Sequence, residues 1–304
     1  MTRKDLYFAA RKIMPKRLLQ SMVREFTRSV NWLKYRDRHF FLEVSLEIST
    51  HCNRRCVYCP QSVDALPAEF MSWELLIAVM QRLKDIGWSG PVSYNNFNEP
   101  LLDKRLPDIV KLTKAWLPRS MPKVYTNGDR LTEGMFLELV DAGIVNFAVT
   151  HHSYSEDAGW KNILMLAKKY PNFFTLETLH GREISNWGGL IEDPELTIQQ
   201  MPFCEAPETA LRVSYKGKVK QCCCDYYGVS DEGDLAEESI LEIWNKPSFK
   251  QFRKEVLAGV YKRNMCKGCA RHEDYSKEQL RTDGAKAWEG RLIKSEPIRK
   301  GKFE

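Results

Sequence analysis

The stretch "STHCNRRCVYCPQS", Ser49–Ser62, sets three cysteines at C-x3-C-x2-C directly behind the β-like run "FFLEVSLEIS", with no fourth cysteine nearby. Structural zinc normally takes four protein ligands, commonly from two C-x2-C knuckles. Three thiolates on one tight loop suit a [4Fe–4S] cube better. They hold three irons and leave the fourth free to chelate an amino and a carboxylate group.

Outward from this loop, short apolar runs alternate with helical patterns. "SWELLIAVMQRLKDIG" opens on a serine and closes on a glycine, as a capped helix does. Strands are expected at "GPVSYNN", "PKVYTNG", "VNFAVTHHS" and "NFFTLETLHG", separated by the helices "DKRLPDIVKLTKAWL", "TEGMFLELVDAGI" and "EDAGWKNILMLAKKY". Single helices between strands imply right-handed crossovers and a parallel sheet. Five units are countable and a sixth is expected. This favours an α/β fold, a partial (β/α)6 TIM-like barrel, over a doubly wound open sheet. In both, ligands bind at the C-terminal strand ends, where the cysteine loop, "NNFNEP", "TNG", "THHS" and "ETLHG" fall. After about Asn186 the rhythm breaks, and "NWGGLIEDPE" carries no clear element. A boundary is therefore placed between Trp187 and Met201. The expected division is a basic helical arm (1–40), a barrel core (41–190), a cysteine-bearing extension (200–275) and a basic tail (276–304).

No run approaches the roughly 18 apolar residues that a membrane span needs, and no secretory signal opens the chain. Nine cysteines, an odd count, then point to metal or redox chemistry in a reduced cytoplasm rather than to disulfides. The formal charge of +6 is unevenly spread: residues 1–40 hold eleven Lys/Arg against three Asp/Glu, whereas the rest hold 35 against 37. Within that arm "RKIMPKRLLQSMVREF" spaces Leu18, Leu19, Met22, Val23 and Phe26 along one helical face. Such a helix suits an anionic membrane surface or an acidic partner. The reading preferred at this point is plainer, a helix packed across the barrel bottom with its charges solvated. Nucleic acid is not expected as a partner, since no aromatic–basic interleave or helix-turn-helix pattern occurs.

"CNRRCVYC" behind a strand resembles the radical S-adenosylmethionine superfamily. The resemblance implies that Cys52, Cys56 and Cys59 hold a [4Fe–4S] cluster whose open iron binds S-adenosylmethionine. The cofactor is then cleaved reductively to a 5′-deoxyadenosyl radical, which requires a very negative cluster potential. Tyr58 stands where the family carries an aromatic residue. The family's Gly-Glu-Pro reads "NEP" here: Glu99 and Pro100 match, and Asn98 replaces the glycine. Asparagine tolerates glycine-like backbone angles. Glu99 is expected to face the methionine ammonium in a charge-assisted bond. Thr126, Asn127 and Thr150, with His151 and His152, sit where family members place ribose and carboxylate contacts. For Thr126 and Thr150 a capping hydroxyl is the alternative.

Cys204, "QCCCD" and "CKGC" resemble the SPASM/twitch extension in its shorter, twitch form. The resemblance implies one auxiliary [4Fe–4S] cluster with four cysteine ligands: Cys204, Cys222 (chosen from the triplet by spacing), Cys266 and Cys269, which lie 18, 44 and 3 residues apart. "VSYKGKVKQCCCD" reads as a hairpin with a Lys-Gly turn. If its second strand runs on, Cys222 and Cys224 share a face and Cys223 opposes them. Cys223 and Cys224 are then either inert core thiols or hydrogen donors to a substrate radical, and Asp225 a turn residue or one behind the cluster. The resemblance implies a small-molecule substrate (a sugar, aminocyclitol or aminoglycoside) that is oxidised or epimerised, with a flavodoxin- or ferredoxin-type electron donor. Glu177, His180, Arg182 and Glu183 are candidates to grip its hydroxyls and amines. A peptide-modifying maturase is one rival, but the arm is too short for a peptide-recognition domain. A non-catalytic metal-binding module is the other, and it leaves the three-cysteine loop and "NEP" unexplained.

Overall fold

Residues 16–152, 158–178, 185–191, 202–270, 275–287 and 293–294 are described by a computed structural model. Contacts divide the chain into two units, residues 1–42 and 43–304. The first unit holds helix α1 (Lys16–Tyr35). The chain turns back at Arg36, whose φ is +56°. The Asn31 amide donates to the Phe40 carbonyl at 2.9 Å, and Tyr35, Phe40 and Phe41 stack with centroids 4.0 and 4.3 Å apart. The helix side brought home is thus the one bearing Asn31 and Tyr35. Its apolar stripe points elsewhere, and Leu18, Met22, Val23 and Phe26 are exposed.

In the second unit β1 (Glu43–Leu46) leads into the cysteine loop and the two-residue strand β2 (Asp64–Ala65). The alternation follows: α2 (Trp73–Asp85), β3 (Pro91–Ser93), α3 (Leu106–Trp116), β4 (Met121–Thr126), α4 (Glu133–Ala142), β5 (Asn146–His151), α5 (Ala158–Lys169) and β6 (Phe174–Thr178). Local chemistry sets the helix ends. The Ser72 hydroxyl accepts the Leu75 N–H and the Thr132 hydroxyl the Met135 N–H, both at 3.2 Å; such a cap is worth about 1 kcal/mol. Helix α4 stops at Gly143, whose φ of +120° few other residues adopt.

The remaining third supplies β7 (Ala210–Val213), β8 (Lys218–Lys220), β9 (Asp231–Asp234), α6 (Ile240–Asn245), α7 (Pro247–Leu257), α8 (Asn264–Ala270), α9 (Lys277–Ala287) and β10 (Ile293–Lys294). Strands pair in the order β6-β5-β4-β3-β1-β7-β8-β9, parallel from β6 through β7 and antiparallel beyond. The architecture is a partial TIM-like barrel. The sixth parallel strand lies beside β1, however, and not beyond the fifth. The C-terminal hairpin therefore extends the sheet of the core.

Register gives this sheet two unlike faces. Val44, Val92 and Leu211 align on one face, as do Val124, Phe147 and Phe174. All are buried, and Phe136 of α4 lies 5.2 and 5.4 Å from Phe147 and Phe174. Parallel sheets covered by helices on both faces are apolar on both. The opposite face here is polar. It aligns Ser45, Ser93, Lys123 and Asn146 in one rank and sets Thr150 beside Glu177 nearer the strand ends. A face of that composition suits contact with water or a polar group better than a covering helix.

Candidate functional site

Cys52, Cys56 and Cys59 lie half-buried on the loop after β1. Burial raises all three thiols, Cys59 to about 12, and Cys59 also feels the charge of the other two. Thiols so placed ionise readily only against a cation, and this donor set fits iron. Two devices shape the loop. Buried Gln61 donates to the carbonyls of Thr50 (2.9 Å) and Phe97 (3.2 Å). On the outer side Arg54 forks onto Asp129, with Nε at 2.7 Å, and Asn53 joins it at 2.8 Å. Asn127 completes the clamp by donating to Asn53 at 3.0 Å. Asn53, Arg54 and Asp129 carry no sequence signal beyond opposite charges on two strand-end loops.

Glu99 is the buried centre of the next shell of contacts. Its carboxylate accepts the Thr126 hydroxyl (2.6 Å), the Asn127 N–H (2.8 Å) and the Leu101 N–H (3.1 Å). Burial lifts its pKa to about 7, against the pull of these bonds. Glu99, Thr126 and Asn127 thus meet beside the cysteine loop, where the Glu99 N–H donates to the His51 carbonyl at 2.8 Å. Asn98 does not use a glycine-like conformation. Among the described residues Arg36 and Trp187 are the non-glycines with positive φ. Asn98 instead closes its loop with its side chain, accepting the Asn96 N–H (2.9 Å) and donating to the Tyr94 carbonyl (3.1 Å).

The Tyr58 hydroxyl bonds His152 Nδ1, with the rings stacked at 6.0 Å. Strand alternation sends His151 the other way, onto Trp160 at 4.2 Å. Thr150 and Glu177 sit side by side on the polar face. His180, Arg182 and Glu183 lie outside the described residues.

The second cysteine set gathers around the hairpin. Burial first, and then the charge of Cys222, raises Cys204 (to about 11) and Cys266. Helix α8 carries Cys266 and Cys269 three residues apart, on one side. Strand β8 ends at Lys220, so the cysteine triplet forms a turn and strand parity does not govern it. Cys222 and Cys224 are buried and Cys223 is half-exposed. Hydrogen bonding links Cys224 to Cys222, Cys223 and Cys269, and its sulfur lies 3.5 Å from Ser185 Oγ. Asp225 is a turn residue: its carboxylate accepts the N–H groups of Val229 (2.9 Å) and Ser230 (3.2 Å).

A turn that has no evident element in the sequence joins the two sets. Trp187 Nε1 donates to the Tyr58 carbonyl at 2.6 Å, while Asn186 donates to the Gly268 carbonyl at 2.8 Å. A Cβ on Gly268 would fall 2.0 Å from the Gly188 carbonyl oxygen. Glycine between Cys266 and Cys269 is what lets α8 approach so closely.

Two family descriptions match the chain: the Radical SAM superfamily over residues 46–180, and SPASM, an iron–sulfur cluster-binding domain, over 204–270. The S-adenosyl-L-methionine-dependent 2-deoxy-scyllo-inosamine dehydrogenase of Niallia circulans is 29% identical over 250 residues, 79% of this chain and 96% of that protein. The crystal structure of BtrN in complex with AdoMet and 2-DOIA superposes with a TM-score of 0.70 at 30% identity, covering 79% of this chain and 97% of that one. SeMet BtrN in an open conformation gives 0.60 at 27%, with the same coverage.

Proposed function

The chain belongs to the radical S-adenosylmethionine superfamily, and from that premise we propose that it oxidises a hydroxyl of an aminocyclitol to a ketone. It is an oxidoreductase of S-adenosylmethionine and [4Fe–4S] clusters acting on a small polar substrate. When bound, the clusters would supply one-electron chemistry: an electron to S-adenosylmethionine that starts hydrogen-atom abstraction, and a sink for the substrate's second electron. Cys52, Cys56 and Cys59 would hold the first cluster, and Cys204, Cys222, Cys266 and Cys269 the second.

Glu99, once ionised, would accept an N–H of the cofactor's amino group, and Thr126 and Asn127 fix its carboxylate. Asn98 acts on the cofactor only by shaping the loop before Glu99. Tyr58, tied to His152, walls one side. The single observation that carries the substrate class is the polar inner face of the sheet, with Glu177 beside Thr150. A carboxylate for an ammonium and a hydroxyl for a hydroxyl suit an aminocyclitol. A flavodoxin- or ferredoxin-type protein delivers the electron. Oxidation needs no hydrogen returned to carbon, so the reading gives Cys223 and Cys224 no hydrogen-donating part.

The test is anaerobic turnover of the reconstituted enzyme with S-adenosylmethionine, a reductant and 2-deoxy-scyllo-inosamine in deuterated water. The expected product is a ketone two hydrogens lighter, with one 5′-deoxyadenosine per ketone, and Cys223→Ala retains it. An isomer carrying deuterium at an inverted carbon, with no ketone, overturns the reading in favour of epimerisation.

A further inference from the structure

Helix α9 lies beyond both matched spans, yet it is tied to the surroundings of both cysteine sets. Its Arg281 forks onto Asp64 of β2, just behind Cys59, with Nε 3.0 Å from one carboxylate oxygen and Nη2 2.7 Å from the other. Asp64 is buried, and the Tyr227 hydroxyl donates to the same carboxylate. The Tyr226 hydroxyl donates to the Asp64 carbonyl, and its ring stands edge-on to Phe97 at 4.8 Å. These tyrosines follow the cysteine triplet directly. At its start α9 is joined to α8, the carrier of Cys266 and Cys269. The Asn264 amide donates to the Ser276 carbonyl at 2.7 Å and accepts the Ser276 N–H at 3.0 Å. We propose that Arg281 is a positioning residue: through Asp64 it holds the loop of Cys52, Cys56 and Cys59 at a fixed spacing from the second cysteine set.

A guanidinium on a carboxylate in two parallel bonds is directional as well as strong. Lysine would reach the same acid only as a point charge. Asp64 is the enclosed partner and Arg281 the more exposed one, so the fork dictates where the acid sits. From Asp64 the path runs inward. The Leu66 N–H donates to Gln61 Oε1 at 3.2 Å, and Gln61 grips the Thr50 and Phe97 carbonyls, so β2 and the cysteine loop move as one piece. Main-chain pairing of Ile293 with Ala65 and of Lys294 with Asp64 adds a second tie. Tyr275, just before α9, is packed so closely that a Cβ on Gly189 would fall 2.5 Å from its ring. The Asn186–Gly189 turn is thereby held by the same segment. The catalytic consequence rests on the oxidation proposed above. Hydrogen abstraction and electron removal are then served by different cysteine sets, and a misplacement of about 1 Å between reacting groups can cost about 100-fold in rate. Slack in the spacing would waste cofactor cleavage.

Hydrogen exchange and turnover of the full-length, cluster-loaded enzyme test this. In Arg281→Ala the amides of residues 61–66 and 226–230 should exchange about tenfold faster or more, while those of β4 and β5 keep their native rates. With S-adenosylmethionine and 2-deoxy-scyllo-inosamine, the 5′-deoxyadenosine formed per ketone should rise several-fold, at unchanged iron content and unchanged KM for S-adenosylmethionine. Arg281→Lys should recover part of the coupling, because it restores the charge without the fork. Should Arg281→Ala fail to fold, Tyr227→Phe deletes one donor to Asp64, keeps the ring and should give the same pattern in smaller measure. Native exchange at residues 61–66, native coupling in Arg281→Ala, or a loss spread evenly over iron, KM and kcat would each overturn the proposal. Native enzyme that makes no ketone sinks the substrate reading alone, and the exchange pattern then decides the role of Arg281.

Discussion

Glu99 shows how one buried carboxylate couples proton and cofactor. Its pKa rises from 4.5 to about 7 because burial penalises the charge more than three hydrogen bonds favour it. Between these values the folded chain keeps a proton that the unfolded chain has lost. Stability of the cofactor-free protein should therefore fall as pH rises from about 4.5 to about 7, by up to about 3 kcal/mol. A cofactor amino group donating its N–H to the carboxylate would reverse the preference, because it favours the ionised form. Affinity for S-adenosylmethionine should climb with pH by as much as about tenfold per unit and level off above about 7. Equilibrium titrations of the cluster-loaded enzyme measure this, and Glu99→Gln should flatten the profile. The acid itself was legible in "NEP", because a motif fixes residue type and spacing. The role of Asn98 was not, since its bonds to Asn96 and Tyr94 depend on how the loop closes.

At the scale of elements, helix ends follow from local chemistry, and both the serine cap of α2 and the glycine stop of α4 are readable in the sequence. The Asn186–Gly189 turn is not. Its order comes from partners 129 and 82 residues away. Trp187→Phe keeps the ring and deletes the bond to Tyr58. It should leave cofactor cleavage largely intact but raise the 5′-deoxyadenosine formed per product several-fold, because the spacing between the cysteine sets loosens. The clamp on the cysteine loop acts earlier. Asp129→Ala leaves Arg54 and Asn53 without their acceptor and should lower iron retained per chain and cleavage rate together, by about 10- to 100-fold as for lost supports of metal ligands. Iron analysis and single-turnover assays separate the two variants. The stripe of α1 was likewise visible as a period, but a period does not say what covers it.

Across the whole second unit, the alternating strands announced a parallel barrel, yet strand order was beyond them: nothing in "ALRV" tells that β7 will lie beside β1. Its placement brings Lys220, the last residue of β8, onto Glu47, 173 positions earlier, at 2.9 Å. Both side chains are fully enclosed, and the ammonium also sits 5.4 Å from the Phe97 ring centre. Enclosed ions owe their stability to each other, so removing one partner strands the other charge. Lys220→Met should destabilise the protein by about 3–5 kcal/mol, read as a lower urea midpoint. Glu47→Leu added to it should restore most of the loss, since no charge is then left buried. Recovery would mean that the pair specifies how the hairpin seats on the core more than it stabilises it. If the double variant unfolds as early as the single one, the shape of the pair matters, and a well-packed apolar pair cannot replace it.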